Sequence, residues 1–242
     1  MNQVTRRPRT SQQSGAYEQL RDAIIAGSIH PDTHLSEPEL AIQLGVSRTP
    51  VREALTKLIA EGLVIRLSTN RAVVAPVSVD EIRHVYDIRS RLEGLIARDA
   101  ATRVTPAARA ELERQVLLME RLSDDYAEVI RIGATFHTSL EELSGNVICA
   151  NLLHVLRGHV DRYRSFTTRE PGRAANAVSE HRTVFEAVMS GDPELAEAVM
   201  RQHIDHAGAA AIEWAEKFEW AGEFQLGVPG TLKLNTDESN RL

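Results

Sequence analysis

A single cysteine, Cys149, stands in 242 residues, which excludes an intrachain disulfide and a cysteine-based zinc finger. No apolar run reaches the roughly 18 residues that a membrane span needs. The amino end, MNQVTRRPRTSQQSG, lacks the apolar core of a signal peptide and is polar with three arginines, which predicts a flexible arm over residues 1–15. There is no HExxH, no GxSxG and no phosphate-binding loop, so the common sequence signatures of metalloproteases, serine hydrolases and nucleotide-binding enzymes are missing. No internal repeat is visible. These absences leave a cytoplasmic protein of ordinary hydrophobic content, long enough for one large domain or two modest ones.

Acidic residues outnumber basic ones, and a net charge of −6 argues at first against a nucleic-acid partner. The distribution reverses that reading. Residues 1–78 hold nine Lys and Arg against seven Asp and Glu, whereas residues 79–242 hold 19 against 27. A mildly basic module thus precedes a clearly acidic one, an asymmetry that orients a protein on a polyanion.

Within the basic module, SEPELAIQLGVSRTPVREALTKLIAEGLVIR (residues 36–66) reads as two short helices joined by a tight turn. Ser36 and Glu39 have the spacing of a capping box, Leu40, Ala41 and Leu44 form an apolar stripe, and Gly45 stops the first helix. Ser47 or Thr49 can cap the second, and Pro50 is tolerated in a first turn where amide donors lack intrahelical partners. Val51, Leu55, Leu58 and Ile59 then recur at helical spacing. Arg48 and Arg52 lie one turn apart at the amino end, where a recognition helix meets base edges and phosphates, and Lys57 adds a further cation. An earlier helix over residues 16–26 and two β-prone runs, 63–67 and 72–75, joined by Ser68–Arg71, complete a winged helix-turn-helix over residues 16–78. The hairpin tip can approach the minor groove or the backbone, where Arg71 is the candidate contact.

Everything from residue 79 to about 220 reads as helix, in six segments separated by Thr105-Pro106, Ser123-Asp124, Ser144-Gly145-Asn146, Pro171-Gly172 and Gly191-Asp192-Pro193. Short connections predict an antiparallel bundle. Residues 221–242 lose periodicity, gather Gly and Pro, and read as a loose tail. The predicted fold class is mainly α: an N-terminal winged helix-turn-helix followed by an all-α antiparallel helical bundle.

GVSRTPVREALTKLIAEGLV closely resembles the recognition helix of the GntR family of transcription regulators. VYDIRSRLEGLIARDAA, FHTSLEELSGNVI and SEHRTVFEAVMSGDPELAEAVMRQHI resemble three stretches of the FCD effector domain of that family's FadR-type branch, in the expected order. The resemblance spans roughly residues 16–210, and six helices in the second domain are similar to the VanR-like group. It implies a homodimeric, ligand-responsive DNA-binding regulator, usually a repressor of catabolic genes released by a small organic acid or sugar acid. It also implies an inverted-repeat operator in double-stranded DNA, contacted by Arg48, Arg52 and Thr49. Two departures stand out. Pro38 occupies a position that is often basic in the family, and Arg71 replaces a glycine usual in the wing.

His137, His181 and His203 each sit on the apolar side of a predicted helix. From the residues alone, hydrogen-bonded core histidines and metal ligands both remain open. The resemblance implies the second, because all three positions match metal ligands of many FCD domains, with Zn²⁺ or Ni²⁺ as the candidate ion. Here the fourth family ligand, an Asp four residues before the first histidine, is replaced by Gly133. Arg89 matches an arginine that often faces the effector cavity and, with the three histidines, forms the candidate effector-binding set; alternatively it is a surface cation beside Glu93. Two other functions stay in view: a metal-dependent hydrolase-like protein using three histidines around an open metal position, and a DNA-binding protein that senses no effector.

Overall fold

The computed structural model describes residues 9–167 and 172–221. It divides into two compact units with the break between Val77 and Ser78. The first contains α1 (Arg9–Ile25), α2 (Glu37–Gln43), α3 (Arg48–Ala60), β1 (Val64–Arg66) and β2 (Ala72–Val74). The two strands pair antiparallel, Val64 with Val74 and Arg66 with Ala72. A third extended segment lies on the far edge of β2, where Leu35 N–H donates to the Ala72 carbonyl and Val74 N–H to that of Thr33.

Leu20 and Ile24 of α1, Leu40 of α2, and Val51, Leu55 and Leu58 of α3 close over Leu63, Val64 and Val74 of the wing as one buried cluster. The apolar stripes seen in the sequence therefore do meet. Two local expectations fail. The flexible arm expected over residues 1–15 is not seen over 9–15, which continue α1; extending a helix that is already nucleated costs far less than starting one. Residues 1–8 lie outside the described residues. Ser36 and Ser47 do occupy the positions before α2 and α3, yet neither side chain makes a capping hydrogen bond, so the capping box is absent. A capping oxygen normally accepts from the second or third helical amide. Pro38 removes the second amide of α2, and Pro50 removes the third of α3.

The second unit is helical throughout among the described residues: α4 (Val79–Ala101), α5 (Pro106–Arg121), α6 (Tyr126–Ser144), α7 (Val147–Thr167), α8 (Arg173–Met189) and α9 (Pro193–Ala221). Here the punctuation works chemically. Ser78, Thr105 and Asp125 cap α4, α5 and α6 by accepting from Glu81, Ala108 and Glu128 amides, and Asp192 accepts from Glu194 and Leu195 at the start of α9. Gly145 ends α6 in the left-handed conformation at φ 63°. Ile82, Ile96, Leu112, Met119, Phe136, Leu140, Val184 and Ile204 fill the interior. Gly208 lets α9 approach α4 closely, since a Cβ there would lie 2.9 Å from Cβ of Tyr86. Beyond Ala221, the tail expected over residues 221–242 lies outside the described residues.

Candidate nucleic-acid interface and candidate metal centre

The outward face of α3 opens with Arg48, Thr49 and Arg52, all exposed. Arg52 is held in a fork by Glu37, its Nε 3.2 Å from both carboxylate oxygens and its Nη2 2.9 Å from Oε2. That contact fixes the guanidinium plane one turn into the recognition helix, and an exposed pair of this kind is readily exchanged for a competing anion. Lys57 does not join the other two. It lies about 140° around the helix from Arg52, with its Nζ 5.3 Å from the centre of the Tyr17 ring. Tyr17 in turn donates its hydroxyl proton to Glu61, which also pairs with Arg21.

In the wing, Leu67 N–H donates to the Arg71 carbonyl and Asn70 N–H to the Leu67 carbonyl. The left-handed residue of this turn is Asn70, at φ 61°, so Arg71, just before β2, is spared that conformation. Arg66 Nη1 donates to the Asn70 side-chain amide oxygen at 2.9 Å. Both arginines are exposed, so the hairpin carries two cations where the sequence reading had counted one.

In the second unit α6, α8 and α9 bring His137, His181 and His203 together, with one ring nitrogen of each within 4.8 Å of the others and every ring buried. The outward nitrogens are all committed. His137 Nδ1 lies 2.7 Å from Glu93 Oε2, His203 Nδ1 lies 2.8 Å from Glu180 Oε2, and His181 Nδ1 lies 2.6 Å from the Ala177 carbonyl. Each of those oxygens accepts, so each Nδ1 carries the proton. Burial pushes the pKa of His137 down to about 4, and it lowers those of His181 and His203 as well. At neutral pH the three rings are therefore neutral, and each turns a bare Nε2 lone pair inward.

Two of these lone pairs face each other: His203 Nε2 is 3.4 Å from His137 Nε2, with no proton to place between them. His181 Nε2 is buried and has no hydrogen-bond partner at all. A cation resolves both problems. Tetrahedral zinc holding two imidazoles at 2.0–2.1 Å separates their nitrogens by about 3.3 Å, close to the distance found. The donor set, three neutral imidazoles each oriented by an oxygen behind it, is that of a borderline-soft divalent ion such as Zn²⁺ or Ni²⁺.

Behind this centre, Arg89 Nε and Nη2 both lie 2.9 Å from Glu93 Oε1, with each side chain only 4% exposed. Burial works against ionisation of Glu93, but attraction to its neighbours prevails and holds the carboxyl below its ordinary range; with His137 neutral, Arg89 supplies that charge. Glu180 is likewise held low against burial, by His203 and Arg173. A cavity of about 40 Å³ opens onto His181 and His203 beside Gly133, walled by Tyr86, Arg89, Arg164 and Arg173.

Residues 84–206 match the FCD domain, and residues 12–74 match the bacterial regulatory proteins of the gntR family. The chain belongs to the GntR family. An HTH-type transcriptional regulator from an unstable DNA locus of Streptomyces ambofaciens is 34% identical to it over 189 residues, covering 78% of this chain and 80% of that protein. The HTH-type transcriptional repressor RspR of Escherichia coli is 29% identical over 213 residues, covering 86% and 92%. Among solved structures, E. coli McbR/YncC superposes with a TM-score of 0.70 at 20% identity over 84% of this chain and 97% of that one, a likeness of fold. This GntR regulator is thus a DNA-binding transcription regulator with an FCD effector domain.

Set against the sequence expectations, the structure unites the three histidines and puts Arg89 in the wall of their cavity, but with its fork already engaged by Glu93. Arg89 is accordingly neither a surface cation nor an unencumbered carboxylate clamp. Sequence reasoning missed the roles of Glu180, Ala177 and Arg173. The pair Glu180-His181 was visible as letters, but only packing shows that Glu180 serves His203 on the neighbouring helix. Of the α7 residues, Arg164 lines the cavity, His159 pairs with Glu81 at 2.7 Å, and His154 is exposed. Replacing Arg89 with Ala strands the Glu93 charge in the interior. The expected result is a loss of about 3–5 kcal/mol in the second unit's stability, measured by urea unfolding, with Arg89→Lys recovering part of it.

Proposed function

We propose that this regulator is a homodimeric repressor of catabolic genes, released when a small organic acid or sugar acid reaches a divalent metal held by His137, His181 and His203. The observation that carries the sensing half is the orphaned, buried Nε2 of His181, aimed at two other unprotonated imidazole nitrogens. A bound metal would supply Lewis acidity there, attracting an anionic group. The protein's own contribution is orientation: Glu93, Glu180 and the Ala177 carbonyl fix each tautomer so that the donor nitrogens face inward. An effector can act only through unequal affinity for two states of the dimer, and couplings of about 1–3 kcal/mol are usual.

On the DNA side, the proposal has Arg48 and Arg52 reach base edges, with Thr49, Arg71 and Arg66 on phosphate or in the neighbouring minor groove. Lys57, turned toward α1, takes a smaller share of phosphate neutralisation than the sequence assigned to it. A cytoplasmic location, with access to the chromosome, follows from this role. Arg52→Ala is expected to weaken operator binding by about tenfold or more, the typical discrimination of one bidentate contact, while gel filtration shows an unchanged assembly. Undiminished mobility shifts on the operator would overturn the recognition-helix assignment.

The dimer is proposed to form through one apolar stripe. Ile148, Leu152 and Val155 follow one another at helical spacing on α7, Ile88 lies on the adjoining α4, and each is more than half exposed. Such a stripe on otherwise charged helices is the surface that a second copy of the chain would cover, and two copies match an inverted-repeat operator. Leu152→Glu should shift the protein to monomer in sedimentation at micromolar concentration and lower its operator affinity; a persistent dimer would place the interface elsewhere.

Metal loading offers the direct test of the sensing centre. After chelation and dialysis, one Zn²⁺ or Ni²⁺ per chain should bind and raise the melting midpoint, free metal at a hundred times its Kd adding about 2.7 kcal/mol. In His137→Ala that rise should vanish. An unresponsive wild-type midpoint would leave the three histidines as core residues.

A further inference from the structure

A carboxylate stands among the cations that are proposed to meet DNA. Glu37, the first residue of α2, holds the Arg52 guanidinium from the side, through Nε at 3.2 Å and Nη2 at 2.9 Å. Hydrogen bonds from Arg52 hold its carboxyl below the ordinary range, and the charges of Arg52, Arg66 and Arg48 push the same way. Glu37 is therefore ionised and lies in the field of cations from both α3 and the wing. Folding stability does not account for it. The Arg52 side chain is 65% exposed and that of Glu37 27%, and exposed pairs of this kind contribute little. An acid in the first turn of α2 suits the helix dipole, but Glu39 already supplies one. Beside a polyanion the Glu37 charge is unfavourable, since nearby phosphates repel it. The geometry of the fork offers a use for it. A guanidinium carries five N–H donors in one plane. Glu37 takes the side edge, formed by Nε and Nη2, and does not use the terminal edge between Nη1 and Nη2. That second edge fits another bidentate acceptor in the same plane, such as guanine O6 and N7.

We infer that Glu37 is a positioning residue that sets base specificity: it aims the terminal edge of Arg52 at guanine, and its charge disfavours any duplex that offers only phosphate at that point. This rests on the reading of Arg52 as a base contact, proposed above, and adds how an exposed, flexible cation is made selective. An unpaired arginine binds phosphate as readily as a base, and phosphate contacts carry no sequence information. A phosphate can take the side edge of Arg52 only by displacing Glu37 and then facing its charge. Guanine, on the terminal edge, need not. Paired with Glu37, Arg52 belongs to a unit of no net charge and releases few counterions from DNA, while its directional hydrogen bonds remain. The pair thus contributes little to salt-dependent affinity and more to discrimination between base pairs. Pro38 limits backbone freedom directly beside Glu37, so the carboxylate is carried on a stiff first turn.

In the test, the full-length protein first selects duplexes from a randomised library. Affinities for the selected duplex, its single base-pair substitutions and a random duplex are then measured by fluorescence anisotropy over a series of KCl concentrations. Arg52→Ala locates the base pair that Arg52 reads, as the one whose substitution no longer matters. At that pair Glu37→Gln should lose about tenfold in discrimination, the usual scale of one bidentate contact, while binding the random duplex more tightly. Its plot of log affinity against log salt should steepen by about 0.9, as one more phosphate is neutralised. The double variant Glu37→Gln/Arg52→Ala should discriminate no worse than Arg52→Ala alone, because Glu37 acts through Arg52. Should Glu37→Gln lower the melting midpoint, Glu37→Asp keeps the charge but withdraws the carboxylate by one methylene, and is expected to lose discrimination without a steeper slope. Unchanged discrimination in the Glu37 variants overturns the inference and leaves Arg52 as a base contact. A loss of affinity equal for all duplexes also overturns it, since that marks a structural role. If Arg52→Ala alters preference at no base pair, the recognition-helix reading fails and this inference with it.

Discussion

The second unit depends on one constraint: three buried imidazoles are each forced to keep the proton on the nitrogen that points away from their common centre. A buried carboxylate cannot face a ring lone pair without a large penalty, so Glu93 and Glu180 dictate the tautomers of His137 and His203, and the Ala177 carbonyl does the same for His181. Burial keeps the rings neutral, which is the form that donates to a metal. What results is a frustrated centre in the interior. His137 and His203 turn lone pairs on each other at 3.4 Å, and that of His181 has no partner. Unsatisfied buried groups are rare in native proteins, and three unprotonated nitrogens converging on one point make this cluster a group that could hold a metal ion.

The surrounding helices are arranged to hold that centre. Arg89 and Glu93, one turn apart on α4, form a buried pair whose carboxylate serves His137 on α6, so the orientation of one ring of the cluster is coupled to an ion pair on another helix. Glu180 on α8 serves His203 on α9 in the same way, and also meets Arg173 and His206. Each carboxylate thus ties two helices together through a histidine. The close approach of α9 to α4 at Gly208 positions Tyr86, whose ring lies 5.6 Å from the Arg89 guanidinium carbon. A displacement at the cavity wall is therefore felt by α4, α6, α8 and α9 together, which is the property a sensor needs.

Much of this was legible in the sequence, and the reason differs from place to place. The winged helix could be read because its signals are local: apolar stripes at helical spacing, a proline in a first turn, and two β-prone runs around a short turn. The six helices of the second unit end within a few residues of where their Gly, Pro, Asp and Ser punctuation puts them. The capping box at Ser36 failed because a proline takes away an amide that a capping oxygen would use, a competition between two local rules that the pattern alone does not decide. That Lys57 lies on a different side of α3 from Arg52, over the Tyr17 ring, was not legible from a count of cations near the recognition helix. Glu180 and Ala177 were out of reach, since their roles are set by contacts between helices and by a backbone carbonyl that no side-chain pattern announces.

Gly133 shows where the two kinds of information join. As a letter it is a helix-weakening residue on the face that carries His137, unfavourable by about 1 kcal/mol relative to alanine. In the structure it lies against the His181 ring, beside a cavity whose wall includes Arg89, Arg164 and Arg173. A Cβ here would lie 3.2 Å from His181 Nε2 and 3.3 Å from its Cε1, so glycine lets α6 pack closely on that ring despite the cost to the helix. Alanine would be the cheaper choice for the helix itself, and Met119, 3.8 Å from a Cβ there, leaves room for it on that side. The side that does not have room is the one facing the histidine. The local cost to α6 and the close seat of the His181 ring against it are therefore two consequences of one missing side chain.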